Sequence, residues 1–428
     1  MIAKNSAISG MHKKTHSERL EIVRKFADLN KAEVEVLHST GGIGFTEADL
    51  MVENAIGTFA LPLGIATNFI INHRDCLIPM VIEEPSVIAA ASRGAKIARA
   101  SGGFKAKCGP SHVIGQIQLV GIKNLELASR NVKRSTLKIL RMANKQSHTL
   151  SKMNRGALKI STRQIDPPSG PMLIVEILVD AADAMGANVT NSMCEAIAPL
   201  LEKLTEGRAL LRILSNYSTT RIARASAIFR KDLIGGSRIV DDMVRAFEFA
   251  QYDVNRAVTH NKGVMNAVTA ISNATGQDGR ALEAAAGAYA ARNGRYEPFT
   301  IWSKDVKGNL NGTIEMPMQV GTIGGIAAVH PIARVCIKIA RAKSARQLGC
   351  AIVSAGLAQN FSALHALVTD GIQHGHMRLH ARNIAITAGV PFDKVIMVAS
   401  KMVDAGNISV TNAKCIMRDI SSTRNVKE

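Results

Sequence analysis

In the middle of the chain the hydrophobic periodicity changes in a way that few folds can accommodate. His112–Ile122 alternates apolar and polar residues, and Met172–Asp180 and Ala209–Asn216 are two further strand-like segments. Helical stretches separate them, first the basic Leu125–Leu158 and then Asn188–Leu204. This strand–helix–strand–helix–strand order predicts a compact α/β module with a split, ferredoxin-like sheet.

The segments on either side of this module are mostly helical. Residues 18–40 have the spacing of short amphipathic helices, and Thr46–Gly57 predicts another helix that ends at glycine. A long helix is expected to begin at Pro85, because the missing N–H of proline would be unpaired in a first turn anyway. After residue 237 the pattern is mostly helical again, with a long stretch at 344–373. The sequence therefore predicts a small module inserted in a larger, helix-dominated domain.

Length and composition indicate a protein with a large core. The 428 residues suggest two or three domains, and 46% of them are hydrophobic. No apolar run is long enough to cross a bilayer, and the N-terminal segment lacks the apolar stretch of a signal peptide, so a soluble cytoplasmic protein is expected. The six cysteines form no CxxC pair, which disfavours a zinc site or a redox pair and favours reduced, unpaired thiols.

The net charge of +19 has two competing explanations. One is nucleic-acid binding, and the other is a basic surface that attracts a polyanionic small substrate such as a CoA ester or a nicotinamide dinucleotide phosphate. Aromatic residues make up only 4% of the chain, so platforms for stacking single strands are scarce, and no zinc-finger, RNP or KH pattern is present. The composition favours the small anionic ligand.

Four pairs of polar, glycine-containing segments interrupt the apolar pattern. They are ENAIG (53–57) with EEPS (83–86), DAMGAN (183–188) with ILSN (213–216), RAVTHNKGVMN (256–266) with GQDGRA (276–281), and GLAQN (356–360) with HGHMRLHARN (374–383). In order and spacing these segments resemble the motif blocks of class II, bacterial-type 3-hydroxy-3-methylglutaryl-CoA (HMG-CoA) reductases. The resemblance runs from about residue 40 to 390.

The resemblance implies an α+β fold of three parts. A large helix-dominated domain, residues 1–110 and 217–373, would bind HMG-CoA. An inserted small ferredoxin-like domain, residues 111–216, would bind NAD(P)H. A C-terminal helical flap, residues 374–428, would close over the bound substrate, with a hinge near Gly371–Gly375.

Four catalytic residues are implied by the same resemblance. Lys262 would stabilise the oxyanion that the first hydride creates at the thioester carbon. Asp278 would hydrogen-bond and tune that lysine. Glu84 would donate a proton to the reduced carbonyl, and His376 would protonate the departing CoA thiolate.

Three of these residues also have a structural explanation. Lys262 could be an exposed helix lysine, although its neighbours His260, Asn261 and Asn266 suggest a polar site. Asp278 alone would be a turn residue. Glu84 precedes a helix N-terminus, whose dipole lowers a carboxyl pKa, whereas a general acid needs a raised one, so burial must dominate.

Two further alternatives concern neighbouring side chains. Glu83 is the rival to Glu84, although the motif places the acid directly before Pro85. The HxHxxxH pattern of His374, His376 and His380 could hold a metal. We disfavour a metal because no carboxylate cluster accompanies these histidines and the family uses none.

The resemblance also assigns binding residues. The hydroxymethylglutaryl group would be held by Ser86, Arg256, Asn266 and Asn360, with Arg256 pairing its guanidinium with the substrate carboxylate. The dinucleotide would be held by Asp183, Met185, Gly186, Asn188 and Asn216. The GTIGG segment (321–325) lacks the full Rossmann fingerprint, and no Rossmann domain is expected.

Cofactor preference depends on the stretch ANKQSHTLSK (143–152). Relatives that prefer NADH carry an aspartate here, where it binds the adenosine ribose. In this chain Ser147 falls at that position, with Lys145 beside it. A serine among basic residues accepts a 2′-phosphate that a carboxylate would repel, so NADPH is expected to be preferred or at least accepted.

The expected reaction is the reduction of HMG-CoA to mevalonate and CoA by two NAD(P)H, without a metal. A homodimer or a hexamer of dimers is implied by the resemblance, and neither nucleic acid nor a membrane is expected as a partner. The alternatives are the same chemistry run oxidatively in mevalonate degradation, another CoA-ester oxidoreductase, and a basic nucleic-acid-binding protein.

Overall fold

The computed structural model describes residues 4–39, 43–369 and 371–422, without the side chains of 372–379 and 421–422. The helices of this part are α1 His16–Ala27, α2 Lys31–His38, α3 Phe45–Met51, α4 Pro85–Arg99, α5 Leu125–Arg134, α6 Thr136–Asn144, α7 His148–Lys152, α8 Ala187–Thr205, α9 Ser237–Tyr252, α10 Val254–Ala274, α11 Gly279–Ala290, α12 Ile326–Val329, α13 Pro331–Ile339, α14 Ala345–Val368, α15 Ile372–Thr387, α16 Val395–Asp404 and α17 Val410–Ser422. The strands are β1 Leu63–Ile71, β2 Arg74–Val81, β3 Lys105–Cys108, β4 His112–Val120, β5 Gly156–Ile165, β6 Met172–Asp180, β7 Arg208–Ser215, β8 Ile222–Phe229, β9 Thr300–Lys304 and β10 Leu310–Pro317.

The inserted module is a four-stranded antiparallel sheet in the order β5-β6-β4-β7. With its helices it has the β-α-β-β-α-β sequence of a ferredoxin-like fold, which confirms the predicted fold class. Its core is apolar and includes Ile117, Val175, Ile177 and Ile197.

The helical stretch predicted over Leu125–Leu158 is confirmed as far as Lys152 and is wrong beyond it. Three helices occupy this stretch, and a fourth strand, β5, begins at Gly156. β5 lies at the edge of the sheet and exposes about half of its residues, so it lacks the apolar run that revealed the other strands.

Several strands of this sheet begin or end at the same end of the sheet. Asp180 at the end of β6 pairs with His112 at the start of β4 and with Gly156 at the start of β5. Ile114 of β4 pairs with Ser215 at the end of β7. The loops after β6 and β7 and the segment before β5 therefore lie along the same edge.

The rest of the chain packs around α14. This helix contacts α4, α10 and β8, and its residues are buried over nearly their whole length. A second sheet, in the order β3-β8-β10-β9, and the hairpin β1–β2 complete this part. The chain after residue 237 is mostly helical, as predicted, with two short strands, β9 and β10, of five and eight residues that the sequence pattern did not indicate.

Within the described ranges one helix, α14, is long and apolar enough to cross a membrane by length and composition, which corrects the expectation that no such run exists. In the structure 78% of its most apolar window is buried inside the protein. Helix α4 crosses it so closely that a Cβ on Gly94 would lie 2.3 Å from the carbonyl oxygen of Ala358. The apolar composition of α14 is therefore that of a core helix.

Three local predictions have clear outcomes. Helix α4 begins at Pro85, as predicted, with Glu84 as its N-cap. Helix α3 ends at Met51 and not at Gly57, and residues 54–62 have no regular structure. All six cysteines are unpaired, and five of them are buried.

The last helices, α15 to α17, share a small apolar core of their own. The boundaries 1–110 with 217–373, 111–216 and 374–428 stay predictions.

Candidate active site

Three loops that are far apart in sequence enclose a cavity of about 770 Å³. The first is residues 184–188 after β6, the second residues 276–280 before α11, and the third residues 321–327 after β10. Thr269 and Asn273 of α10 and Glu283 of α11 complete the wall. The cavity thus joins the DAMGAN, GQDGR and GTIGG segments, the last of which the sequence analysis did not include in the site.

The DAMGAN loop is fastened to the rest of the protein through Asp183. Its carboxylate accepts a hydrogen bond of 2.9 Å from the N–H of Ala345, at the start of α14. Its carbonyl oxygen accepts one of 2.8 Å from the N–H of Thr322. Asp183 therefore holds the loop in place, while Met185, Gly186 and the exposed Asn188 line the cavity.

Glycines are required where the loops approach each other. Gly186 has φ +99°, and a Cβ there would lie 2.6 Å from that of Ala181. A Cβ on Gly321 would lie 2.5 Å from the backbone nitrogen of Met185. The backbones of the DAMGAN and GTIGG loops are thus close enough for both to approach one bound phosphate group.

Lys145, Ser147 and Asn216 lie at the same end of the small sheet as the DAMGAN loop, as the strand register requires. Ser147 is the N-cap of α7, and its hydroxyl accepts a hydrogen bond of 3.3 Å from the N–H of Leu150. Lys145 and Asn216 are exposed. All the predicted cofactor residues therefore lie at the end of the sheet where β6 and β7 end and β5 begins.

Helix α10 carries a polar stripe towards the cavity. Lys262, Asn266, Thr269 and Asn273 are spaced by four, three and four residues, so they share one face of the helix. Lys262 lies roughly 10 Å along the axis from Thr269, which lines the cavity. The lysine is exposed and has no ion-pair or hydrogen-bond partner among the described residues.

Asp278 is the N-cap of α11 and lies in the cavity wall. Its carboxylate accepts a hydrogen bond of 3.1 Å from the N–H of Ala281 and lies 3.5 Å from Nε of Arg280. The preceding Gln277 accepts a hydrogen bond of 2.7 Å from the N–H of Gly321. Within the described part of the chain Asp278 has no direct contact with Lys262.

Two residues next to Lys262 have a structural role. His260 is buried, and its Nε2 lies 2.6 Å from Oγ1 of Thr300. Asn261 donates to the carbonyl oxygen of Glu297 at 2.9 Å and accepts from the N–H of Phe299. They point away from the exposed lysine, so their polarity is not evidence for the site, contrary to the sequence argument.

Asn360 belongs to the same buried network. Its side-chain oxygen accepts hydrogen bonds from Trp302 at 2.8 Å and Thr300 at 3.1 Å, and its amide nitrogen donates to the carbonyl oxygen of His260 at 3.5 Å. The predicted substrate contact would have to replace or supplement one of these bonds.

Arg256 occurs in a setting that suits its predicted role, and Glu84 has a hydrogen-bond donor beside it. Arg256 is half-buried, its pKa is lowered by burial, and its guanidinium has no partner among the described residues. Ser86 is buried and donates its hydroxyl hydrogen to Oε1 of Glu84. Helix α15 carries position 376, but the side chain of His376 lies outside the described residues.

Arg221 borders the candidate site, and no sequence motif indicated it. It is 1% exposed, and it donates to the carbonyl oxygens of Ala184, Met185 and Val320. Burial lowers its pKa to about 10, so it stays charged at neutral pH. Among the described residues no group of three or more His, Cys, Asp or Glu side chains is placed to hold a metal.

Comparison with known proteins agrees with this architecture. The family model described as hydroxymethylglutaryl-coenzyme A reductase matches residues 15–381. The 3-hydroxy-3-methylglutaryl-coenzyme A reductase of Archaeoglobus fulgidus is 48% identical over 98% of this chain and 96% of its own. A probable enzyme of the same name from Borreliella burgdorferi is 34% identical over 78% of this chain and 77% of its own.

Solved structures give the same result. The reductase of Streptococcus pneumoniae superposes with a TM-score of 0.82 at 37% identity, covering 96% of this chain and 99% of its own. A class II reductase from the same organism, bound to NADPH in open conformations, has a TM-score of 0.80 at 37% identity, covering 95% of this chain and 100% of its own. Fold and comparisons together define an oxidoreductase. The chain belongs to the hydroxymethylglutaryl-coenzyme A reductase family, in class II.

Proposed function

We propose that the protein reduces HMG-CoA to mevalonate and CoA, using two NAD(P)H, through a hemithioacetal and then mevaldehyde. The observation that carries the proposal is the cavity where the DAMGAN loop faces Asp278 and the polar stripe of α10 that includes Lys262. A dinucleotide in this cavity would lie between the small module and the helix that bears the candidate catalytic lysine.

The bound nicotinamide supplies a hydride twice. The first hydride adds to the thioester carbon, and Lys262 stabilises the negative charge on its oxygen. The C–S bond then breaks, and His376 protonates the CoA thiolate. The second hydride reduces the aldehyde, whose oxygen takes a proton from Glu84, so that four electrons and two protons in all convert the thioester to an alcohol and a thiol.

Substrate recognition is proposed to rest on Arg256, Ser86, Asn266 and Asn360. The unpaired, half-buried guanidinium of Arg256 suits the free carboxylate of the hydroxymethylglutaryl group. The hydroxyl of Ser86 would orient the Glu84 carboxyl group through their mutual hydrogen bond. Asp278 would act on the lysine only after a change from the geometry described above.

The proposed cofactor is NADPH, accepted at least as well as NADH. Lys145 and the partly buried Ser147 lie on the edge of the sheet that carries the DAMGAN loop, and no carboxylate stands at the serine position. The NADPH-bound relative from S. pneumoniae supports the same choice.

We further propose that the protein is a cytoplasmic homodimer, or an assembly of such dimers. The segment after α3 exposes large apolar side chains, with Ile56 and Phe59 at 101% and 90% exposure. Exposed apolar side chains this close together on a single chain favour burial against a second copy.

The reaction is tested by following NADPH and NADH absorbance with HMG-CoA, and with mevaldehyde in place of HMG-CoA. Consumption of two reduced cofactors per free thiol released is expected. A His376→Gln variant should lose thioester reduction more than mevaldehyde reduction. If neither cofactor is oxidised, the proposal fails. The rate of mevalonate oxidation by NAD(P)⁺ with CoA is measured in parallel, and its ratio to the rate of HMG-CoA reduction shows which direction the enzyme favours. A salt-dependent shift of DNA mobility would support the nucleic-acid alternative.

A further inference from the structure

Arg221 is buried at the junction between the inserted module and the rest of the chain, directly before β8. Its guanidinium reaches two segments. Nη1 lies 3.3 Å from the carbonyl oxygen of Ala184 and 3.4 Å from that of Met185, both in the DAMGAN loop. Nη2 donates to the carbonyl oxygen of Val320, directly before the GTIGG segment. Arg221 therefore joins the two loops that enclose the cavity.

The direction of these carbonyl groups has a consequence for the adjoining N–H groups. A trans peptide is planar, and its C=O and N–H point in opposite directions. The peptides whose oxygens face Arg221 carry the N–H groups of Met185 and Gly186. The N–H of Gly186 donates no backbone hydrogen bond within the described residues, whereas the N–H of Met185 lies beside the GTIGG segment, where Ala184 forms an isolated parallel bridge with Ile323; both Met185 and Gly186 line the cavity. Two consecutive outward N–H groups ahead of a helix form an anion-binding concavity.

The charge of Arg221 acts in the same direction. No carboxylate lies within ion-pair distance of its guanidinium in the described parts of the chain, because its partners are carbonyl oxygens alone. Asp183 and Asp180 lie near enough to favour the charged form of Arg221, but neither is hydrogen-bonded to its guanidinium, so they balance its charge only at a distance. The buried cation beneath the DAMGAN loop therefore contributes positive potential for an anion in the cavity, reduced by these two carboxylates.

We propose that Arg221 is a positioning residue for the pyrophosphate of the dinucleotide. It turns the N–H groups of Met185 and Gly186 into the cavity and adds positive charge behind them. This inference rests on the proposed function, in which the cavity binds NAD(P)H.

The test compares Arg221→Met and Arg221→Lys with Ser218→Ala. Ser218 is a matched control because its hydroxyl donates to Gln319 at 2.8 Å across the same junction without touching the DAMGAN loop. We expect Arg221→Met to raise the KM of NADPH more than tenfold while the KM of HMG-CoA changes less than twofold. Arg221→Lys, which keeps the charge but only part of the hydrogen bonding, should be intermediate. Ser218→Ala should lower the melting temperature and leave both KM values unchanged.

A purely structural role predicts a different pattern. The proposal is overturned if Arg221→Met, like Ser218→Ala, lowers the melting temperature without changing the KM of NADPH or of HMG-CoA. It is also overturned if Arg221→Met changes these two KM values equally. If Arg221→Met does not fold, the NADPH dissociation constant of Arg221→Lys decides: a value equal to that of the wild type refutes the proposal. A wild-type protein that does not bind NADPH refutes the proposed function as well, and this result separates the two failures.

Discussion

The side-chain oxygen of Gln277 accepts a hydrogen bond of 2.7 Å from the backbone N–H of Gly321, and this bond connects the loop of Asp278 to the glycine-rich loop after β10. Gly321 has no room for a side chain, because a Cβ would lie 2.5 Å from the nitrogen of Met185. Gly321→Ala should therefore separate the loops, with an expected loss of stability of about 1–3 kcal/mol and a large rise in the KM of NADPH.

Gly279 is the matched control for that substitution. It also lines the cavity, but a Cβ there meets nothing within 4 Å. Gly279→Ala should keep the wild-type stability in urea unfolding. Equal behaviour of the two alanine variants would contradict the close contact described here.

Removal of the Lys262 side chain should lower turnover by orders of magnitude without affecting the fold. The residue is exposed and has no partner in the described parts of the chain, so Lys262→Ala removes no stabilising contact. Loss of one charge-stabilising donor typically lowers turnover by about 10²–10³-fold. Circular dichroism and steady-state rates measure both effects, with Lys203→Ala, another exposed helix lysine, as the control. Unchanged turnover would exclude Lys262 from catalysis.

Ser147→Asp should shift cofactor preference towards NADH. Aspartate is as good an N-cap as serine, so α7 should still begin at residue 148. Its carboxylate repels a 2′-phosphate, which should lower kcat/KM for NADPH at least about tenfold relative to NADH. Ser147→Asn keeps the cap without the charge and should change the ratio little. The prediction is wrong if both variants respond alike.

His260 should make the stability depend on pH. Burial and the nearby Arg256 charge lower the pKa of this histidine from 6.5 to about 3. Between pH 6.5 and about 3 the imidazole of His260 therefore binds a proton in the unfolded chain but not in the folded protein. The contribution of His260 is fully present above pH 6.5 and decreases as the pH falls towards 3, by about 1.4 kcal/mol per pH unit.

Urea unfolding of His260→Gln between pH 4 and 7.5 measures this contribution. The variant should be less stable than the wild type at pH 7 because it alters the hydrogen bond to Thr300, and its stability should depend less on pH. His12→Gln, at an exposed position, should keep the wild-type dependence. Parallel curves for the wild type and His260→Gln would rule out the titration.

The exposed apolar segment predicts the state of assembly. Phe59→Asp should weaken the proposed dimer and shift the mass in light scattering towards the monomer, with a parallel loss of activity. Val306→Asp changes an equally exposed valine on a turn elsewhere and should leave the mass unchanged. A dimer of unchanged stability in Phe59→Asp would place the interface on another surface.

The fold was predictable where the periodicity was strong, and the site residues, which come from local motifs, stay predictions. Strands β4, β6 and β7 and helix α4 follow from alternation and from Pro85, whereas the half-exposed β5 and the short β9 carry too weak a pattern. Arg221 could not be found from the sequence, because its partners are carbonyl oxygens at positions 184, 185 and 320. The polar residues beside Lys262 were misleading, since sequence proximity on a helix does not show which face each side chain occupies.

The pairing of Ile114 with Ser215 places the entry and the exit of the inserted module side by side. The surrounding chain therefore continues from β3 to β8, which pair directly with each other, almost as if the intervening hundred residues were absent. An inserted domain of this kind can be replaced by that of a relative without a change in the path of the surrounding chain. Cofactor preference could thus evolve, or be engineered, separately from substrate recognition, provided that each new module keeps the loop surface that contacts Arg221.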